Sequence, residues 1–270
     1  MTRRRLLIGV AVAYVAALLL APVIELLWSA FALGIRPFLR AITAPDAVHA
    51  LEMTALMTVV AVVFNGVFGT AIAFVLVRDP RFVGRRLLNG LVEVPFAVSP
   101  VIAGFVLIEL FGRKGVLGPL LDAHHLKIAF AWPGMAIATT FVSLPFVVRE
   151  VAPVLEEIGV DQELAARTLG ASELTTFLRV TLPSIRWGLF YGVTLTAARA
   201  IGEFGAVLVV SGGVAGQTET ATSFIYRALE DRNDVGGAAV SLVLAIASIA
   251  LLLGMDALKR RRAGVAGGEA

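Results

Sequence analysis

Arg199 and Glu203 lie one helical turn apart inside an otherwise apolar stretch, Trp187–Ser211. A guanidinium presents planar donors that match a carboxylate or an oxyanion, and the i, i+4 spacing lets Glu203 serve as its partner. An arginine at the centre of a membrane helix costs about 2.5–3.5 kcal/mol on insertion scales, so it must face protein or a water-filled path. Two roles follow. The pair either fixes this helix against its neighbours or stands on a translocation pathway, gating it or offering Arg199 to a dianion. Gly202 and Gly205 flank Glu203, with Phe204 between, and permit close backbone approach or a local bend.

Residues for covalent or metal chemistry are missing. There is no cysteine, which removes disulfides, thiolate catalysis and cysteine-bound zinc. His49, His124 and His125 include no i, i+4 pair for a zinc site. A phosphate-binding loop needs a lysine followed by serine or threonine, whereas Lys114, Lys127 and Lys259 precede Gly115, Ile128 and Arg260. No G-x-S-x-G elbow occurs, and no paired carboxylates share an evident pocket. The chain reads as a non-catalytic protein with no metal and no cofactor of its own.

A second constellation lies between apolar blocks, where the chain runs VLEEIGVDQELAARTLG over 154–170 and then ASELTTFLRVTLPSI to Ile185. Asp161 is placed to cap a helix carrying Leu164, Ala165, Thr168 and Leu169, and Gly170 suits its C-terminus. A short second helix, Glu173–Val180, is expected to end at Leu182-Pro183. Together they form a knob whose small residues, Ala165 and Ala166, leave room for close packing against another protein.

The elements that must hold these groups follow from composition. Hydrophobic residues make up 58% of the 270, and mean hydropathy is +0.88, against roughly 45–50% apolar in ordinary soluble domains. Six blocks reach the about 20 residues that a spanning helix needs: Leu6–Trp28, Met53–Val77, Leu87–Phe111, Ile128–Val148, Trp187–Ser211 and Val235–Leu258. The first follows Arg3–Arg5 but exceeds a signal-peptide core. Pro22-Val23-Ile24-Glu25 offers no cleavage pattern, so it reads as a retained helix. Pro133 and Pro145 are expected to interrupt span four, and Glu93 precedes Pro95 and Pro100 in span three. Asn65, Gly66 and Gly69 in span two suit helix packing.

Orientation follows from the basic residues. With both termini on one side, that side carries Arg3–Arg5, Arg78, Arg81, Arg85, Arg86, Arg149, Arg167, Arg179, Arg186 and Lys259–Arg262. This is fifteen against seven opposite, which places both termini and the long loop in the cytoplasm. Because these arginines bracket apolar blocks, the net charge of +3 speaks for membrane orientation and not for nucleic acid.

The run Glu163-Leu164-Ala165-Ala166-Arg167-Thr168-Leu169-Gly170-Ala171, followed by Phe177, Val180, Leu182 and Pro183, resembles the EAA coupling loop of ABC-importer permeases. Glu163 sits one residue earlier than in the most quoted form, a shift that resembles the anion-importer branch. Ala198-Arg199-Ala200-Ile201-Gly202-Glu203-Phe204-Gly205-Ala206 and Phe111–Pro119 are similar to the sulfate/thiosulfate permeases, from about Leu51 onward. Molybdate permeases share the loop and the G-E-F-G-A segment, so molybdate, tungstate or another oxyanion is the alternative cargo. An ion-coupled secondary transporter would leave the loop unexplained.

The resemblance implies an all-α membrane protein with six transmembrane helices in the type I ABC-importer architecture. Residues 1–50 would form the first span and outer loop, 51–258 the permease domain with its coupling loop at 151–185, and 259–270 a disordered cytoplasmic tail. It implies that Glu163, Ala165, Ala166, Gly170, Leu182 and Pro183 couple the chain to an ATPase. Arg199, Gly202, Glu203, Phe204 and Gly205 would line the pathway. ATP and magnesium would sit on a cytoplasmic ATPase dimer. A second permease, an extracytoplasmic sulfate-binding protein and the lipid of a bacterial inner membrane would complete the system.

Overall fold

The computed structural model describes residues 2–79 and 81–266, which form helices and connecting turns with no strand among them. In chain order the helices are α1 (Thr2–Phe31), α2 (Ile35–Ile42), α3 (Pro45–Arg78), α4 (Arg85–Ala97), α5 (Pro100–Phe111) and α6 (Gly118–Ala123). They continue as α7 (Trp132–Ile158), α8 (Asp161–Thr168), α9 (Glu173–Ile201), α10 (Gly205–Ser211), α11 (Ala221–Glu230) and α12 (Asp234–Ala266). Among the described residues, α1, α3, α7 and α12 are each long and apolar enough to cross a membrane. The bent pairs α4/α5 and α9/α10 raise the number to six if each pair is one span.

Spans three and five are therefore not single rods. The α4/α5 pair bends by 116° and the α9/α10 pair by 58°. At the first bend, Val98 and Ser99 are extended, as the residue before a proline prefers, and Pro100 starts the next helix where its missing N–H leaves no gap. At the second, Gly202 ends α9 and Glu203 accepts from the Ala206 N–H at 3.0 Å, capping α10. The bends meet in space. A Cβ on Gly205 would lie 3.2 Å from Pro100 Cβ, and one on Gly104 would lie 2.6 Å from Ala206 O. Glycine is what lets these two backbones touch.

Several local expectations change. Pro133 lies in the first turn of α7 and Pro145 sits, buried, inside a continuous helix, so neither breaks span four. Pro183 does not end the loop helix. A π-turn over Phe177–Thr181 widens the coil next to the proline, and α9 continues to Ile201. Asp161 is the first residue of α8 and makes no cap, because Val160 holds the N-cap position. The last helix reaches Ala266, beyond the expected border at Leu258. Residues 267–270 of the expected tail lie outside the described residues. The short helices α2, α6 and α11 fall in segments read only as loops.

Two apolar clusters run along the bundle. At one end Met53, Met57, Met135, Val142, Val207 and Val210 join α3, α7 and α10. At the other Leu76, Val92, Val147, Val151, Leu155 and Ile185 join α3, α4, α7 and α9. Asn65 lies between them, fully buried at a π-turn of α3, and donates to Thr140 O at 3.1 Å and Ser143 Oγ at 2.9 Å. Helix α1, by contrast, keeps its apolar side chains exposed (Leu6, Leu19, Trp28), as a helix in lipid does.

Candidate coupling knob and membrane ion pair

The knob consists of α8 and the first turns of α9. Leu169 N–H bonds to Ala165 O, Gly170 N–H to Arg167 O and Ala171 N–H to Ala166 O, while Gly170 takes a φ of +86°, which favours glycine. Ser172 Oγ then accepts from the Thr175 N–H and starts α9. This tight reversal leaves Leu164, Leu169 and Leu174 exposed, Leu169 at 89%. Beside them Ala165 and Gly170 are exposed and Ala166 is half-buried. The result is an apolar, small-residue surface at the tip of a polar loop. Leu182 and Pro183 lie away from this tip. Leu182 packs on the knob-end core, and Pro183 is exposed on the shaft of α9.

Glu163 does not share the exposed face. It is 6% exposed and is the buried residue of α8. Its carboxylate accepts from Arg78 Nε at 3.1 Å to both oxygens, from Arg78 Nη2 at 3.0 Å and from Thr181 Oγ1 at 3.0 Å. Glu163, expected among the ATPase-coupling residues, therefore makes these contacts within the chain. A carboxylate at this depth needs a cation and hydrogen bonds, and the chain supplies both internally. Sequence reasoning counted Arg78 only as a basic flank, since nothing in a linear pattern links two residues 85 positions apart.

The membrane ion pair is formed as the spacing suggested. Arg199 Nη2 lies 2.7 Å from Glu203 Oε2, with the arginine side chain 30% exposed and the glutamate 2%. Glu203 thus has two duties: one oxygen balances Arg199 and the other caps α10. Thr222 Oγ1 donates to the Glu203 carbonyl at 2.7 Å, tying α11 to the bend. Gly202 is exposed and Phe204 half-buried, the latter 5.5 Å from the Tyr226 ring. Irregular backbone at membrane depth is tolerated only where protein or a water-filled cavity satisfies it, so this bend marks a place of that kind.

Two further ion-pair clusters join residues whose pairing the sequence did not indicate. Glu93 on α4 pairs with Arg149 on α7, whose guanidinium lies 4.3 Å from the Phe96 ring centroid. At the end of the bundle opposite the knob, Arg227 holds the buried Glu219 at 2.7 Å and approaches Asp46 and Asp231. Hydrogen bonding to Glu219 raises the Arg227 pKa above its usual value, against the lowering effect of burial. His49 Nε2 lies 3.3 Å from Gln217 O at this end.

Among solved structures, the fold matches a chain of a bacterial ABC transporter that imports the acidic polysaccharide alginate. The TM-score is 0.76 with 16% identity, over 96% of both chains. It also matches the inward-facing MetNI methionine ABC transporter with a TM-score of 0.58 and 21% identity, over 79% of this chain and 94% of that one. The architecture is that of an ABC-importer transmembrane domain. Residues 65–263 match the binding-protein-dependent transport system inner membrane component, and the chain belongs to that family. It is 46% identical to the sulfate transport system permease protein CysW of Synechococcus elongatus, over 96% of this chain and 90% of that protein. The same identity holds to CysW of Escherichia coli K12, over 91% and 84%. CysT of Salmonella typhimurium is 38% identical, over 94% and 91%.

Proposed function

We propose that this chain is the permease subunit of an ATP-driven sulfate/thiosulfate importer, forming half of the translocation pathway and driven by a separate ATPase. The observation that carries the reading is the knob: an exposed cluster of Leu164, Ala165, Leu169 and Leu174 on α8, the turn after it and the start of α9, with α8 too short to stand alone. Exposed leucines in water call for a partner surface. Ala165, Ala166 and Gly170 let that surface approach closely, and a cytoplasmic ATPase dimer carrying ATP and magnesium is the partner the family implies. The names of the relatives support sulfate as cargo.

In the cell the chain would cross a bacterial inner membrane several times with both termini in the cytoplasm, as the distribution of basic residues supports. A second permease of the same family would supply the other half of the pathway, and an extracytoplasmic sulfate-binding protein would deliver the anion. Arg199 would line the pathway beside Gly202, Phe204 and Gly205. Its pairing with Glu203 keeps the site close to neutral, which suits passage over retention. ATP binding would close the ATPase dimer, shift the knob and bias the helices between outward- and inward-open arrangements.

The test is reconstitution in proteoliposomes with a partner ATPase, a second permease of the same family and a sulfate-binding protein. Uptake of radiolabelled sulfate that needs ATP and all subunits is expected. Uptake of molybdate in place of sulfate would move the cargo, and transport by the chain alone would overturn the class.

A further inference from the structure

We propose that Arg78, which lies outside the loop, is the positioning residue through which the knob moves the membrane helices. The inference rests on the coupling role given to the knob above. Arg78 is the last residue of α3, and its side chain is 10% exposed. Nε and Nη2 hold the Glu163 carboxylate of α8, Nη1 donates to Leu155 O at 2.9 Å, and Nη2 donates to Gly159 O at 2.7 Å. Those two carbonyls belong to the end of α7, where a helix leaves its last oxygens without partners. The carboxylate also takes the Thr181 hydroxyl from the π-turn of α9. One guanidinium and one carboxylate therefore fasten four helices.

The chemistry of the joint explains why it transmits force. Helix α8 buries no apolar side chain, since Glu163 is its buried residue while Leu164 faces outward. A push on α8 consequently reaches the ends of α3 and α7 through this polar clasp, while α9 carries its own part of the knob directly into the bundle. A bidentate guanidinium–carboxylate pair fixes both distance and plane, so α8 cannot turn without turning the ends of α3, α7 and α9. Glu163 acts in coupling by holding the joint, and the exposed leucines act by gripping the partner. The π-turn adds to this: it brings Thr181 to Glu163 at the point where α9 becomes a membrane helix.

The experiment uses the complete reconstituted complex and measures both ATP hydrolysis and radiolabelled sulfate uptake. Arg78→Ala is expected to preserve cross-linking of an Ala165→Cys knob to the ATPase while raising ATP consumed per anion by about tenfold. Arg78→Lys keeps the charge but loses the planar fork, and is expected to fall between. Because Arg78→Ala strands a buried carboxylate, the double variant Arg78→Met/Glu163→Leu replaces the pair by apolar groups, a change that often restores stability. Recovered thermal stability with a ratio that stays raised supports the joint. Recovery of the ratio together with stability would overturn it, as would an Arg78→Ala ratio within about twofold of the wild type. Failure of the Ala165→Cys knob to cross-link to the ATPase with Arg78 intact would instead sink the coupling role itself.

Discussion

Replacing Gly104 by alanine should force α5 and α10 apart where the two bent spans meet. A Cβ at Gly104 would stand 2.6 Å from Ala206 O, 2.9 Å from Val209 Cβ and 3.1 Å from Ala206 Cα. Two of these three atoms are backbone and cannot swing aside like the tip of a long side chain. Relief requires one helix to move by about 0.5–1 Å to regain normal contact distances. Overpacking of this kind costs about 1–3 kcal/mol. Alanine also favours helix over glycine by about 1 kcal/mol, which masks part of the loss. Gly9→Ala on α1 gains the same propensity but meets nothing within 4 Å. The difference between the two variants therefore isolates the clash.

Expressed as a folded-to-unfolded ratio, that difference is roughly 5- to 150-fold. The chain has no cysteine for thiol dyes, so unfolding of the detergent-solubilised protein is best followed by tryptophan fluorescence. Gly104→Ala should melt below Gly9→Ala and, with the bends displaced, should slow sulfate uptake in the assembled complex. Equal melting temperatures for the two variants would show that α5 and α10 do not touch through their backbones, and the packing argument for the bend would fail.

Other substitutions read the remaining features. At Gly170, where φ is positive and a Cβ would meet nothing, Asn should retain uptake. Val there should cost about 1–2 kcal/mol in the knob, and Arg should uncouple ATP hydrolysis from uptake, both read in proteoliposomes. Unchanged uptake with Arg would refute the close approach of a partner at this turn. Glu203→Ala should lower the yield of folded protein by removing both the Arg199 partner and the α10 cap. Adding Arg199→Ala should restore part of the yield without restoring uptake, and full uptake by the double variant would remove Arg199 from the pathway. Arg227→Ala leaves the buried Glu219 without its cation and should destabilise the chain by about 3 kcal/mol, reduced by whatever water reaches the site. Glu219→Gln in the same background should recover most of that loss in a thermal melt.

Much of this protein was decided by local, one-dimensional quantities. Long apolar blocks report the solvent that surrounds them, and the i, i+4 spacing of Arg199 and Glu203 brings them together on any helix. The reversal at Gly170 needs only a residue that accepts positive φ. These features were legible because hydropathy, helical period and backbone freedom are properties of a few consecutive residues. Tertiary structure decided the rest. Pro145 looks like a breaker, yet it sits buried inside α7, which continues past it. Pro183 looks like a stop, yet a π-turn next to it carries the helix through. The bends of spans three and five share one location because Gly104 and Gly205 let α5 and α10 touch, a fact about two segments distant in the chain. Glu163 was expected among the residues that couple the chain to an ATPase, from the resemblance of its loop. It points inward because Arg78, 85 positions earlier, ends its own helix where it can clasp the carboxylate and the last carbonyls of α7. Such a partner is chosen by where helices end in space, and no spacing rule along the chain encodes that.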